Sequence, residues 1–120
     1  MPYSAEIKVQ ASNNAAAANN ITFAAVPSLT FYLQGFVVSG LGATGSIAIA
    51  ITISGSASSG TPTWNYVVPA GVTVAAPTLQ QTFTGSGIPA SAPNSALTLN
   101  VPSFGAGNTT VSVVAWGRYV

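Results

Sequence analysis

The chain has 120 residues, 48% of them apolar, and a formal net charge of +1. Only 2% of its residues are charged, against roughly 25% in ordinary soluble domains, and Glu6, Lys8 and Arg118 are the whole charged set. With no His, Cys or Asp, this inventory excludes a single-chain catalytic triad, a zinc site, a carboxylate cage for calcium or magnesium, and a paired-carboxylate glycosidase.

In chain order, residues 1–20 read as an N-terminal arm and low-complexity lead-in, and residues 21–120 as one β domain. Tyr3–Gln10 alternates weakly, as a short strand or an extended arm does. Ala11–Asn20 sets four alanines between asparagine pairs; so short a run does not hold a helix, and the segment reads as loop or turn. The arm is either a binding element for a neighbouring subunit or a poorly ordered terminus. Ile21–Val26 is β-rich and stops at Pro27. Leu29–Ser39 reads as a long strand with Gly35 as a candidate bulge, and Gly40–Gly45 as a turn.

Ile47–Ile53 is the clearest strand. Ile47, Ile49, Ile51 and Ile53 fall on one side and Ala48, Ala50 and Thr52 on the other, a period of two that a helix would scatter. Gly55–Pro62 is a turn, Trp64–Val68 a strand ending at Pro69, Ala70-Gly71 a turn, and Val72–Ala76 a resumed strand. Leu79–Thr84 follows, then a long loop over Gly85–Pro93, then Ala96–Val101, which stops at Pro102. Gly105–Asn108 is a tight turn, and Thr109–Val120 is the last strand. No segment carries the apolar 3.6-residue period and caps of a helix. About eight short strands at roughly 8–12-residue spacing predict an all-β, single-domain antiparallel β-sandwich of jelly-roll-like type.

Function must rest on few side chains. Trp64 and Tyr66, two apart, share one strand face, either as a platform for a sugar ring or as part of the core or a subunit contact. Trp116 and Tyr119 are a second candidate platform. Glu6 and Lys8 share a face if the arm is a strand, and either meet Arg118, meet a neighbour, or are simply solvated. Arg118, in Trp116-Gly117-Arg118-Tyr119, has aromatic neighbours for cation–π stacking. The candidate interface residues are Tyr3, Glu6, Lys8, Trp64, Tyr66, Trp116, Arg118 and Tyr119. No residue is a candidate for catalysis, a metal or a cofactor.

Two basic residues at opposite ends of the chain do not make a nucleic-acid surface. No stretch approaches the ~20 apolar residues of a membrane helix, and an outer-membrane barrel is disfavoured by strands shorter than about 9–11 residues. Met1–Glu6 lacks the basic and apolar regions of a secretory signal. Asn20-Ile21-Thr22 and Asn108-Thr109-Thr110 match the glycosylation tripeptide and are read as chance matches. The Gly-rich turns lack the lysine and helix of a phosphate loop. The threonines are too irregularly spaced along the chain for an ice-binding lattice. The eight prolines and twelve glycines oppose steric-zipper stacking. So little charge favours association.

Several segments together resemble small virion proteins of tailed bacteriophages, of the head-decoration, head-fibre or tail-associated type. They are Ile21-Thr22-Phe23 after the Ala/Asn-rich lead-in, Leu33-Gln34-Gly35-Phe36-Val37-Val38-Ser39-Gly40, the turn at Gly42–Gly45, and Tyr66-Val67-Val68-Pro69-Ala70-Gly71. Ile88-Pro89-Ala90-Ser91 and Val101-Pro102-Ser103-Phe104-Gly105-Ala106-Gly107-Asn108-Thr109 complete the set, before a final strand ending in Tyr119. The resemblance spans residues 21–120. It implies a non-enzymatic structural protein of the virion, made in the host cytoplasm. Such a protein assembles with itself as a trimer or higher oligomer and binds the capsid or tail lattice. The alternative is a carbohydrate- or receptor-binding sandwich at a fibre tip.

Overall fold

Apolar and β-branched side chains at every second position build strands here, and nine form among the described residues: β1 (Ile7–Asn13), β2 (Ile21–Phe23), β3 (Phe31–Leu41), β4 (Ile47–Ser54), β5 (Thr63–Val68), β6 (Leu79–Thr82), β7 (Ile88–Pro89), β8 (Leu97–Asn100) and β9 (Thr110–Tyr119). The computed structural model describes residues 6–13, 18–41, 47–57, 60–68, 79–85, 87–103 and 110–120. Tyr3, the strand expected at Val72–Ala76, the turns at Ala70-Gly71 and Gly105–Asn108, and residues 42–45 of the turn expected at Gly40–Gly45 lie outside the described residues.

The strands form two antiparallel sheets that face each other as a β-sandwich. One has the order β1-β9-β3-β6, with β7 also paired to β3; the other has the order β2-β8-β4-β5. Among the described strands only β4 and β5 are consecutive partners. The other pairings, such as β1 with β9 and β2 with β8, join distant parts of the chain.

Several strand ends differ from the sequence reading, β2 for example stopping at Phe23 and not at Val26, and three of the differences have a cause in the pairing. Ala11–Asn13, expected as loop, belongs to β1, because Val111–Val113 of β9 offers it a continuous line of backbone partners and tertiary pairing overrides weak strand propensity. Likewise Gly40 and Leu41 stay in β3, paired to Val111 and Thr110. The loop expected over Gly85–Pro93 contains β7, whose Ile88 and Pro89 pair with Leu33 and Tyr32. Pro89 is tolerated because β7 lies on the outer side of β3.

Gly35 is a bulge, as its place in a strand suggests. Phe31 and Leu33 point into the sandwich at odd positions, yet Phe36 and Val38 point in at even ones. The phase changes because Leu33 pairs with Gly117 and Gly35 with the next residue, Trp116, so β3 holds one extra residue against β9. Without the bulge, either Phe31 and Leu33 or Phe36 and Val38 would be turned to the outside.

Between the sheets Phe31, Leu33, Phe36, Val38, Val113 and Ala115 meet Ile21, Phe23, Ile51, Ile53, Leu97 and Leu99, all buried. Two aromatic groups tie the layers. Phe23 stacks on Phe31 at 4.1 Å, and Phe31 meets Tyr119 edge-on at 5.0 Å. Phe36 meets Trp64 at 5.2 Å, and both contact Phe83. Burying one such side chain stabilises by about 1.5–3 kcal/mol. Apolar side chains therefore fill the interior, the reverse of a membrane barrel, whose apolar side chains face outward.

Candidate functional site

Strand alternation decides which residues reach a partner. On β9, Val113, Ala115, Gly117 and Tyr119 point inward, which turns Ser112, Val114, Trp116 and Arg118 to the outer face of that sheet. On β1, Ile7 and Val9 pack against the core while Lys8 and Gln10 are exposed. Register then brings distant residues together. Lys8 is opposite Trp116, Trp116 is opposite Gly35, and Arg118 is opposite Tyr32.

One step beyond the Ile7–Gly117 pair, the two segments carry Glu6 and Arg118. All three charged residues of the protein are thus placed at one end of one sheet, Lys8 and Arg118 on adjacent strands and Glu6 just before β1. The rest of the chain, from Val9 to Gly117, carries none.

The Lys8 Nζ stands 5.9 Å from the centroid of the Trp116 ring, within cation–π range. The Trp116 indole lies over Gly35: a Cβ there would come within 2.7 Å of Cε2 and 2.8 Å of the Gln81 carbonyl oxygen. The bulge glycine is therefore also the seat of the tryptophan. The Nε of Arg118 is covered from solvent. Tyr32, not singled out by the sequence, joins this patch through its pairing with Arg118; its phase on a bulged strand was the only signal available.

The other candidates are placed differently. Trp64 and Tyr66 do share a face, and it is the inner one: Tyr66 is 7% exposed and Trp64 packs on Phe36 and Phe83. Tyr119 is 8% exposed, and its hydroxyl donates to the Ala24 carbonyl at 2.6 Å. Burial pushes the phenol pKa of both Tyr66 and Tyr119 above its ordinary value. Neither tyrosine is presented to a partner by this subunit. Trp116 and Tyr119, on opposite faces of β9, do not form one platform.

The outer face of the second sheet is neutral and polar. Thr22 is opposite Thr98, which is opposite Ser54; Asn100 is opposite Thr52, which is opposite Thr63. The Thr22 and Thr98 hydroxyls are 3.1 Å apart. The Asn100 amide donates to Ser54 Oγ at 3.1 Å and Thr52 Oγ1 at 3.3 Å. Ala48, Ala50, Asn65 and Val67 continue this face along β4 and β5. The array runs across strands, so irregular spacing along the chain conceals it. At its margin β5 pairs only with β4 among the described strands, has no charge or proline, and exposes Val67 at 56%. Natural sheets usually blunt such an edge with charge or proline.

Among the described residues, no group of three or more His, Cys, Asp or Glu stands together, and no helix is long and apolar enough to cross a membrane. The patch around Trp116 holds one carboxylate, one ammonium and one guanidinium, groups suited to pairing strands or contacting a partner. No family model, no curated protein and no solved structure matches the chain.

Proposed function

We propose that this is a non-enzymatic structural protein of a tailed-bacteriophage virion, which self-assembles as a trimer or higher oligomer and binds the capsid or tail lattice. The observation that carries self-assembly is the uncharged outer face of the β2-β8-β4-β5 sheet beside the edge of β5, which has no second partner among the described strands. Bringing charged faces together strips water from ions at high cost. A face of Thr, Ser, Asn and Ala has no such cost, and its hydroxyls and amides are already arranged as mutual hydrogen-bond partners. Apolar area buried on contact stabilises by about 25 cal/mol per Å2, and an open edge offers backbone pairing. The virion assignment rests on the resemblance over residues 21–120.

Mass spectrometry of purified particles from cells expressing the gene tests that assignment. The protein is expected in particles at many copies each. Its absence from particles, with abundant soluble protein in the lysate, overturns the proposal.

The outward placement of Trp116 favours a second reading, a carbohydrate- or receptor-binding module, with Trp116 as platform in place of Trp64 and Tyr66. In a Trp64→Phe background, Trp116 fluorescence reports it directly. A shift with one member of a glycan panel supports this reading, and no response to any member removes it.

A further inference from the structure

Among the described strands β1 has one neighbour, β9. Its apolar anchors on the core are Ile7 and Val9, both only partly buried. Behind it runs Asn13-Asn14-Ala15-Ala16-Ala17-Ala18-Asn19-Asn20, without glycine, proline or charge. The far end of that segment is clamped to the body. The Asn19 N–H donates to the Val101 carbonyl at 2.8 Å, and the Val101 N–H donates to Asn20 Oδ1 at 3.0 Å. Asn19 is itself buried. The start of the body after the arm is thus a fixed point.

We propose that β1 is an exchangeable strand: in the assembly it pairs with β9 of a second copy of this chain, in the register it has within one subunit. The inference rests on the self-assembly reading above and adds a second contact to it, in the other sheet. Exchange recreates every β1–β9 contact between copies, so its cost is confined to the connecting segment, and concentration decides between the closed and exchanged forms.

Charge placement singles out β9 as the acceptor. The donor strand brings Glu6 and Lys8, and the acceptor offers Arg118 and the Trp116 ring. β5, by contrast, has no charged residue to answer them. Register is specified too. A two-residue slip that moves Lys8 from Trp116 toward the chain end sets it opposite Arg118, and like charges directly opposite are unfavourable. A one-residue slip turns Ile7 and Val9 to solvent.

The test uses the absence of native cysteine and the Ser12–Ser112 register pair. The double variant Ser12→Cys/Ser112→Cys is oxidised at assembling concentration and run on a denaturing, non-reducing gel, with light scattering on the same sample. A ladder of covalent multimers is expected. Disulfide-closed monomer on the gel, from material that scatters as an oligomer, overturns exchange and leaves self-assembly standing. Monomer by both measurements overturns exchange and self-assembly together. Adding Arg118→Glu weakens the β1–β9 seam in the closed and exchanged forms alike, so the total disulfide yield, closed and multimeric together, is expected to fall at least fivefold, with Glu6→Arg restoring it. An unchanged yield overturns the role of charge in choosing the acceptor.

Discussion

Lys8 and Trp116 are direct cross-strand partners, and the lysine ammonium stands 5.9 Å from the centre of the indole ring. In a chain so poor in charge, this pair makes the β1–β9 seam chemically different from the other strand pairings. Replacing Lys8 with Met keeps the alkyl stem and removes the cation. The expected loss is about 0.5–1 kcal/mol, the scale of an exposed cation–π contact. Urea unfolding followed by Trp116 emission, in a Trp64→Phe background, measures it.

Gly35 serves both the bulge and the tryptophan. In Gly35→Ala the new methyl meets Trp116 and the Gln81 carbonyl, so the indole must move off β3. A destabilisation of about 1–3 kcal/mol is expected, the usual range for overpacking, together with a changed Trp116 emission maximum. Unaltered emission and stability would show that the indole does not sit over the glycine.

The Tyr119 hydroxyl joins the end of β9 to the segment after β2 through Ala24. Tyr119→Phe keeps the ring contact with Phe31 and deletes this bond. Chemical denaturation is expected to show a loss of about 0.5–1.5 kcal/mol, the net worth of one such hydrogen bond.

Alkaline pH acts through the same residue and Tyr66. Burial raises both phenol pKa values above 10.0 in the folded protein, so these phenols ionise more readily in the unfolded chain. Their contribution is complete below pH 10 and is lost as pH rises from about 10 through the raised folded values. Melting temperature is expected to fall over that range, and less steeply in Tyr119→Phe. Equal slopes in the two proteins would contradict the assignment to Tyr119.

The two faces of β4 make a sharp contrast. Ile51 is fully buried and Ala50, its neighbour in sequence, is exposed. Ile51→Ala is expected to cost about 2–5 kcal/mol, whereas Ala50→Ser stays within about 0.5 kcal/mol. The pair of unfolding curves checks the phase of the whole sheet.

What was legible in the sequence follows from range. The isoleucine alternation of Ile47–Ile53 and the lone glycine at Gly35 are local signals, and both strand and bulge stand where those signals put them. That Trp64 and Tyr66 share a face was also local. Whether that face looks in or out depends on the opposite sheet, where Phe36 and Phe83 receive Trp64. Ala11–Asn13 has no strand character of its own and becomes β1 only because Val111–Val113 lies alongside. The gathering of Glu6, Lys8 and Arg118 is hidden for the same reason, since the first and last strands of the chain must pair before it exists.

The central claim is that neutral faces and strand edges drive this protein to associate with itself. Light scattering of the pure protein across micromolar concentrations, in dilute and in physiological salt, measures this most directly. The account predicts a mass of at least three times the 11.9 kDa subunit in both salts. A compact particle of 11.9 kDa at every concentration and in both salts would contradict it.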